Sequence, residues 1–292
     1  MSEGHIPDWM DTVLSSFFTT LGDTLSVVTV SRSGIQGVVD LPGQRRTLQE
    51  ATRKMEFALG REPKEVELFE TEEEQAETAK REVESGFRIL HSNAVMLCWA
   101  YLEALVDDLL VGSIANNDAL LTSGDLASLK VPVGEFLSLK EHERSHYLAG
   151  LASRSTRQKA RGGDRLLEDL LALIGLDGDL PNGLKTNLNV FYKVRNVIAH
   201  RGGVVDYRFA SECAMLNPTI GSVFPVSEKA FLACGMTAIR YGVEVFSRAR
   251  TLYGDVTPRN IPEVPAERMD VVTWMRAPTT VTLEGLGPTE PV

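Results

Sequence analysis

Residues 184–203 read LKTNLNVFYKVRNVIAHRGG. Leu184, Leu188, Phe191, position 195 and Ile198 follow one another in steps of four, three, four and three, the spacing of one face of an α-helix. Gly202-Gly203 stops that helix. Position 195 is an arginine, and a guanidinium on a core-facing seam keeps its proton, so it requires a carboxylate partner, an aqueous cleft or an anionic ligand. His200 follows five residues later, roughly 140° around the same helix, so one straight helix does not aim both side chains at a single phosphate. Either the helix unwinds at its end, or two subunits pair so that their motifs converge.

Helical patterns flank this segment on both sides. Upstream, a long pattern runs from about residue 70 to 111, and its second half reads GFRILHSNAVMLCWAYLEALVDDLL. Leu90, Ala94, Leu97, Tyr101, Leu105 and Leu109 recur there at three- and four-residue steps and mark a core helix. A break rich in Gly, Asn and Ser near 112–125 is followed by weaker helices at about 134–150 and 164–174, joined by a basic, Gly-containing segment, 153–163, that reads as a mobile linker. Downstream, residues 227–252 carry Phe231, Gly235, Ile239, Val243 and Phe246 as an inner stripe. Before residue 60 lie a short amphipathic stretch (Trp9 to Leu21), a β-leaning run (Leu25 to Leu41, with Gly34 and Gly37) and a helix at 47–59. The expected architecture is all-α: a four- to five-helix bundle over 77–253, an N-terminal extension over 1–76 of unassigned role, and an extended, proline-rich tail over 254–292.

The 292 residues suffice for a sizeable core, and their 43% apolar and 24% charged composition is that of an ordinary globular protein. No run approaches the roughly 18 uninterrupted apolar residues of a membrane span. The acidic start, MSEGHIPDWMDT, lacks an export signal, so a cytoplasmic location without membrane association is expected. Cys98, Cys213 and Cys234 are far apart and odd in number, which points to reduced, buried thiols. The net charge of −10 argues against a nucleic-acid partner until the acid is located. Ten glutamates fall between residues 61 and 84 against four basic residues. By contrast, Arg154, Arg157, Lys159 and Arg161 form a locally basic stretch, and Lys193, Arg195 and Arg201 are unopposed around the motif, which offers phosphate a local footing.

RNVIAH resembles the Arg-x4-His signature of the HEPN superfamily and is most similar to RiboL-PSP-type HEPN domains. The surroundings strengthen the likeness: WAYLEALVDDLL on a preceding helix, Asn after the Arg, a small residue before the His, the RGG stop and a closing amphipathic helix. The likeness covers roughly residues 77–252. It implies a four- to five-helix bundle, frequent homodimers with the motifs at the interface, and metal-independent endoribonuclease activity in many members. Many members serve as toxins with an antitoxin partner or in phage defence, and some are catalytically silent modules that bind RNA, a nucleotide or a partner protein.

Cleaving RNA without a metal means activating the ribose 2′-hydroxyl, stabilising charge on phosphorus and protonating the leaving oxygen. His200 can perform a proton transfer near neutral pH, and Arg195 can clamp phosphate with two hydrogen bonds. Asn196 is placed to hold the nucleotide or orient His200, and Glu103 on the preceding helix to pair with Arg195. RNA contacts are expected from Lys193, Arg201, Arg154, Arg157, Lys159 and Arg161, with no cofactor and no metal. The same residues also fit a purely structural Arg195–Glu103 bridge, with His200 capping a helix. Tyr192, one turn earlier, reads as core or as a base-stacking surface.

A second motif, His142-Glu143-Arg144-Ser145-His146, matches the His-Glu-x-x-His spacing of zinc peptidases, with Glu168 as a third ligand 22 residues later. Its flanks are polar on every side, which favours a solvated helix face.

Overall fold

The computed structural model describes residues 4–62, 70–122, 124–159, 162–257 and 270–276. The described chain is all-α. The helices are α1 (Asp8–Ala58), α2 (Glu70–Glu84), α3 (Arg88–Asn116), α4 (Gly124–Ala127), α5 (Val133–Ser138), α6 (Glu141–Lys159), α7 (Gly163–Leu171), α8 (Asn182–Arg201), α9 (Tyr207–Glu212), α10 (Glu228–Tyr253) and α11 (Val271–Arg276). Pairing between extended segments is limited, among the described residues, to isolated bridges such as Val204 with Val223.

α3 is the axis of the molecule, with α1, α6, α7, α8 and α10 packed around it. Its burial is therefore wider than the single expected stripe. Val95, Cys98, Trp99, Leu102 and Val106 are buried alongside Ala94, Leu105 and Leu109, whereas Leu97 is 46% exposed. A helix enclosed on several sides needs apolar residues around most of its circumference. The expected helix from 70 to 111 is two helices. Gly86 and Phe87 both adopt left-handed backbone (φ 70° and 60°) and separate α2 from α3, and Glu82 accepts a hydrogen bond from Leu90 N–H across the turn.

The N-terminal region departs most from expectation. The β-leaning run 25–41 is helical, part of the 51-residue α1. Local propensity is a weak force, and packing overrides it. Met10, Leu14, Phe17, Leu21 and Val28 are buried on one side of α1, which joins the bundle core against α3 and α10. Gly112 is a contact rather than a break, because a Cβ there would meet the Trp9 ring at 2.3 Å. Gly242 on α10 likewise leaves room for Phe17, whose ring would lie 2.4 Å from an added Cβ. The second half of α1 pairs with α2 through Arg45–Glu72 (2.8 Å) and Arg46–Glu73 (3.1 Å). The acidic stretch is thereby partly neutralised by α1, and the expected boundary at 76/77 falls within α2.

α1 is the one described helix long and apolar enough to cross a membrane by length and composition; the core side of its first half is covered by α3 and α10. The segment 153–159 is helical, not a linker, because α6 runs to Lys159; Arg161 lies outside the described residues. Part of the expected extended tail is also helical: Val271 and Met275 of α11 are buried, with α11 packed on α8 and α10. The three cysteines are free and buried, and burial pushes the Cys98 thiol up to about 12 and that of Cys213 to about 11.

Candidate active site

α8 carries the motif. Pro181 precedes its first turn, and Gly202 closes it in left-handed backbone (φ 59°). The helix remains regular through Arg201, so of the two alternatives the unwinding before His200 does not occur. Its buried arc consists of Leu184, Asn187, Leu188, Val190, Phe191, Val194 and Val197. Arg195 therefore lies at the edge of the core-facing surface instead of on its seam, with Val194 and Val197 taking the inward places.

Beside α8 is an open cleft of about 530 Å³ whose lining includes Glu103, Arg157, Tyr192, Lys193, Arg195, Asn196, His200 and Arg201. At about 100° per residue, Arg195, Asn196 and His200 span an arc of roughly 140°, with Asn196 between the other two. A broad cleft can take in that arc from one helix. Arg195 donates to Glu103 Oε2 at 2.8 Å and to Asn196 Oδ1 at 2.9 Å. Both members of the ion pair are largely withdrawn from solvent, with side-chain exposures of 23% and 17%. The pair thus fixes the guanidinium at the cleft wall in a setting of reduced screening. His200 is exposed, within the last turn of the helix. Tyr192 is half-buried, its ring tilted 5.2 Å from that of Trp99, and it lines the cleft.

The cations around the motif are not unopposed. Lys193 donates to the Glu212 carbonyl at 3.1 Å and faces its carboxylate at 3.8 Å, while Arg201 meets Asp206 at 3.6 Å. Both acids come from the segment after the glycine stop, which folds back beside α8. Arg208, a residue without a sequence signal, lines the same cleft and pairs with Glu212. Five arginines and lysines (157, 193, 195, 201 and 208) face three carboxylates (103, 206 and 212) around the lining. The cleft therefore holds an excess of positive charge within a chain of net charge −10.

Among the described side chains of the basic stretch, Arg157 is the one placed at the cleft. It sits on α6 and meets Glu103 Oε1 (3.2 Å) and Asp107 Oδ2 (3.4 Å), with Nε donating to Ser153 Oγ at 3.2 Å. Arg154 is exposed and outside the cleft lining, and the side chain of Lys159 lies outside the described residues. Asp107 and Ser153 are additions from tertiary structure. Burial raises the Asp107 carboxyl above the usual carboxylate range, against the lowering effect of Arg157.

The His-Glu-x-x-His segment has a local explanation. Glu143 accepts a hydrogen bond from Lys140 N–H at the start of α6, and His142 and His146 are exposed. Glu168 is engaged elsewhere, accepting from Tyr241 (2.8 Å), Arg248 (2.9 Å) and Gly178 N–H (2.9 Å). Among the described residues no group of three His, Cys, Asp or Glu side chains is arranged to hold a metal ion. Between the two exposed histidines, Arg144 is half-buried and lies 5.2 Å from the centre of the Phe136 ring. In comparisons with known proteins, the chain matches no family model, no curated protein sequence and no solved structure.

Proposed function

We propose that this protein is a HEPN-type, metal-independent endoribonuclease that cleaves RNA by attack of a ribose 2′-hydroxyl on the adjacent phosphodiester. The supporting observation is the convergence of Arg195, Asn196 and His200 on one cleft with an excess of cations. In this reaction the O2′–P bond forms and the P–O5′ bond breaks. The 2′-hydroxyl proton passes to a base, and the departing 5′ oxygen takes up a proton, giving a 2′,3′-cyclic phosphate and a free 5′-hydroxyl. His200 serves as one of the two proton-transfer groups, and Arg195, braced by Glu103, binds the phosphoryl oxygens. Asn196 holds the nucleotide or orients His200. Lys193, Arg201 and Arg208 at the rim guide the RNA backbone.

In-line displacement places the entering and leaving oxygens on opposite sides of phosphorus, so two proton-transfer groups are needed. A homodimer with facing motifs supplies a second His200. An apolar surface beside the motif favours such a pairing: Val204, Tyr207, Ile220 and Val223 are all more than two-fifths exposed, where the chain turns back from α8. By its resemblance to toxins and phage-defence effectors, the protein acts on cytoplasmic RNA, with an antitoxin or defence partner as its regulator.

The second reading is a silent RNA-, nucleotide- or partner-binding module, which the ion pair of Arg195 with Glu103 favours. Incubation of the purified protein with transfer RNA and messenger RNA, with and without chelator, separates the two. The nuclease reading expects fragments ending in cyclic phosphate in both conditions; intact RNA throughout would leave only the binding module.

A further inference from the structure

We infer that Arg157 is the second phosphate-binding guanidinium of this cleft, held beside Arg195 by their common partner Glu103. The inference rests on the ribonuclease reading of the site. The two oxygens of the Glu103 carboxylate are divided between the arginines, Oε1 to Arg157 and Oε2 to Arg195. The two cations are therefore separated by no more than one carboxylate and two hydrogen bonds. Left alone, such neighbours repel, and the shared anion is what keeps them together.

Arg157 is held more firmly than an RNA-steering surface residue requires. Ser153, itself buried, takes its Nε, and Asp107 and Glu103 take its two terminal nitrogens. These contacts come from two helices, α3 and α6, and fix the plane of the guanidinium. The side chain is nevertheless 37% exposed and lines the cleft. A guanidinium has five N–H donors, more than three anchors consume.

The chemistry calls for such a pair. As the 2′-oxygen adds to phosphorus, the phosphoryl group gains a second negative charge, and without a metal ion that charge must be met by fixed donors. One guanidinium satisfies the charge of the ground-state diester; a second is used most fully as the pentacoordinate species forms. Arg157 thus acts chiefly on the chemical step, and Glu103 is a positioning residue for both arginines.

The test compares Arg157→Ala and Arg157→Lys with Arg53→Ala, which makes the same charge change on an exposed part of α1. Turnover is measured on an oligoribonucleotide that the wild type cleaves, and affinity on the same sequence with 2′-O-methyl riboses, which cannot be cleaved. Arg157→Ala is expected to lower kcat about 10²-fold, well beyond any change in KM. Added guanidinium ion should restore part of the rate, and Arg157→Lys should fall between wild type and Ala. If Arg157→Ala matches Arg53→Ala, or shows only a salt-dependent rise in KM, or resists rescue by both guanidinium and Lys, the inference is overturned while the nuclease reading stands. A wild type that binds the 2′-O-methyl RNA but cleaves nothing overturns the nuclease reading. In that case a loss of affinity confined to the Arg157 variants upholds the paired site. A wild type that neither binds nor cleaves overturns both.

Discussion

Arg195 on α8 and Glu103 on α3 meet at 2.8 Å across the wall of the cleft, whereas His200, on the same helix, stands exposed. A catalytic arginine–histidine pair and a structural bridge therefore differ in what removal of each side chain should do. Arg195→Ala should cost roughly 1–3 kcal/mol by leaving a withdrawn carboxylate short of one partner, a fall of about 2–4 °C in Tm per kcal/mol. Arg157 still meets Glu103 and tempers that cost. His200→Ala should leave Tm unchanged. Both variants should lose cleavage by about 10²-fold or more, and Arg195→Lys should be nearly as damaging because it loses the forked geometry. Thermal melts and cleavage assays on the same samples decide; a folded, fully active His200→Ala protein would falsify the assignment.

The apolar rim formed by Val204, Tyr207, Ile220 and Val223 should mediate self-association. Introducing charge with Val204→Glu and Ile220→Glu should shift the mass in sedimentation equilibrium from dimer to monomer and reduce cleavage in parallel. A wild type that is monomeric and fully active at the assay concentration would rule out the shared site.

Arg154 lies on α6 outside the cleft lining, where it is exposed. Its substitution by Ala should weaken RNA binding modestly and reduce the slope of log affinity against log salt by about one. kcat should be unaffected, in contrast to Arg157→Ala. Titrations at several salt concentrations, with an unchanged slope as the contrary result, test whether this face steers RNA.

His91 should couple the stability of the bundle to pH. Its ring is buried and stacked 5.8 Å from that of Phe231, Nδ1 lies 3.3 Å from the Val226 carbonyl, and the buried Nε2 has no hydrogen-bond partner among the described residues. Burial, with Arg32 nearby, lowers its pKa despite the Val226 carbonyl, Glu228 and Glu82. A lowered folded-state value means that the unfolded chain takes up a proton first, so stability is full above the ordinary value of about 6.5 and declines as pH falls below it. Tm measured between pH 8 and pH 5 should therefore drop, and His91→Phe, which keeps a ring against Phe231, should flatten that drop. An identical slope in the variant would place the sensitivity elsewhere.

The sequence by itself determined the elements whose order is written in local periodicity. α8 with its glycine stop, α10 with its inner stripe and the apolar second half of the α3 pattern are all legible as faces repeating every three to four residues. The Arg195–Glu103 contact was legible too, because a guanidinium near an apolar seam demands an anion and the preceding helix offers one. Tertiary structure alone decided the rest. Residues 25–41 carry β-branched side chains and glycines, yet they continue a helix because one face of α1 is absorbed by α3 and α10 and then by α2. The cations around the motif looked unopposed only along the chain; Glu212 and Asp206 reach them when the segment after Gly202-Gly203 folds back. Arg157 read as part of a flexible basic linker and stands instead on α6, sharing a carboxylate 54 positions away. Periodicity reports which face of a helix is inward, but the partner of a charge is a long-range contact. Such contacts are settled by how the helices pack, a global property that no local window of sequence contains.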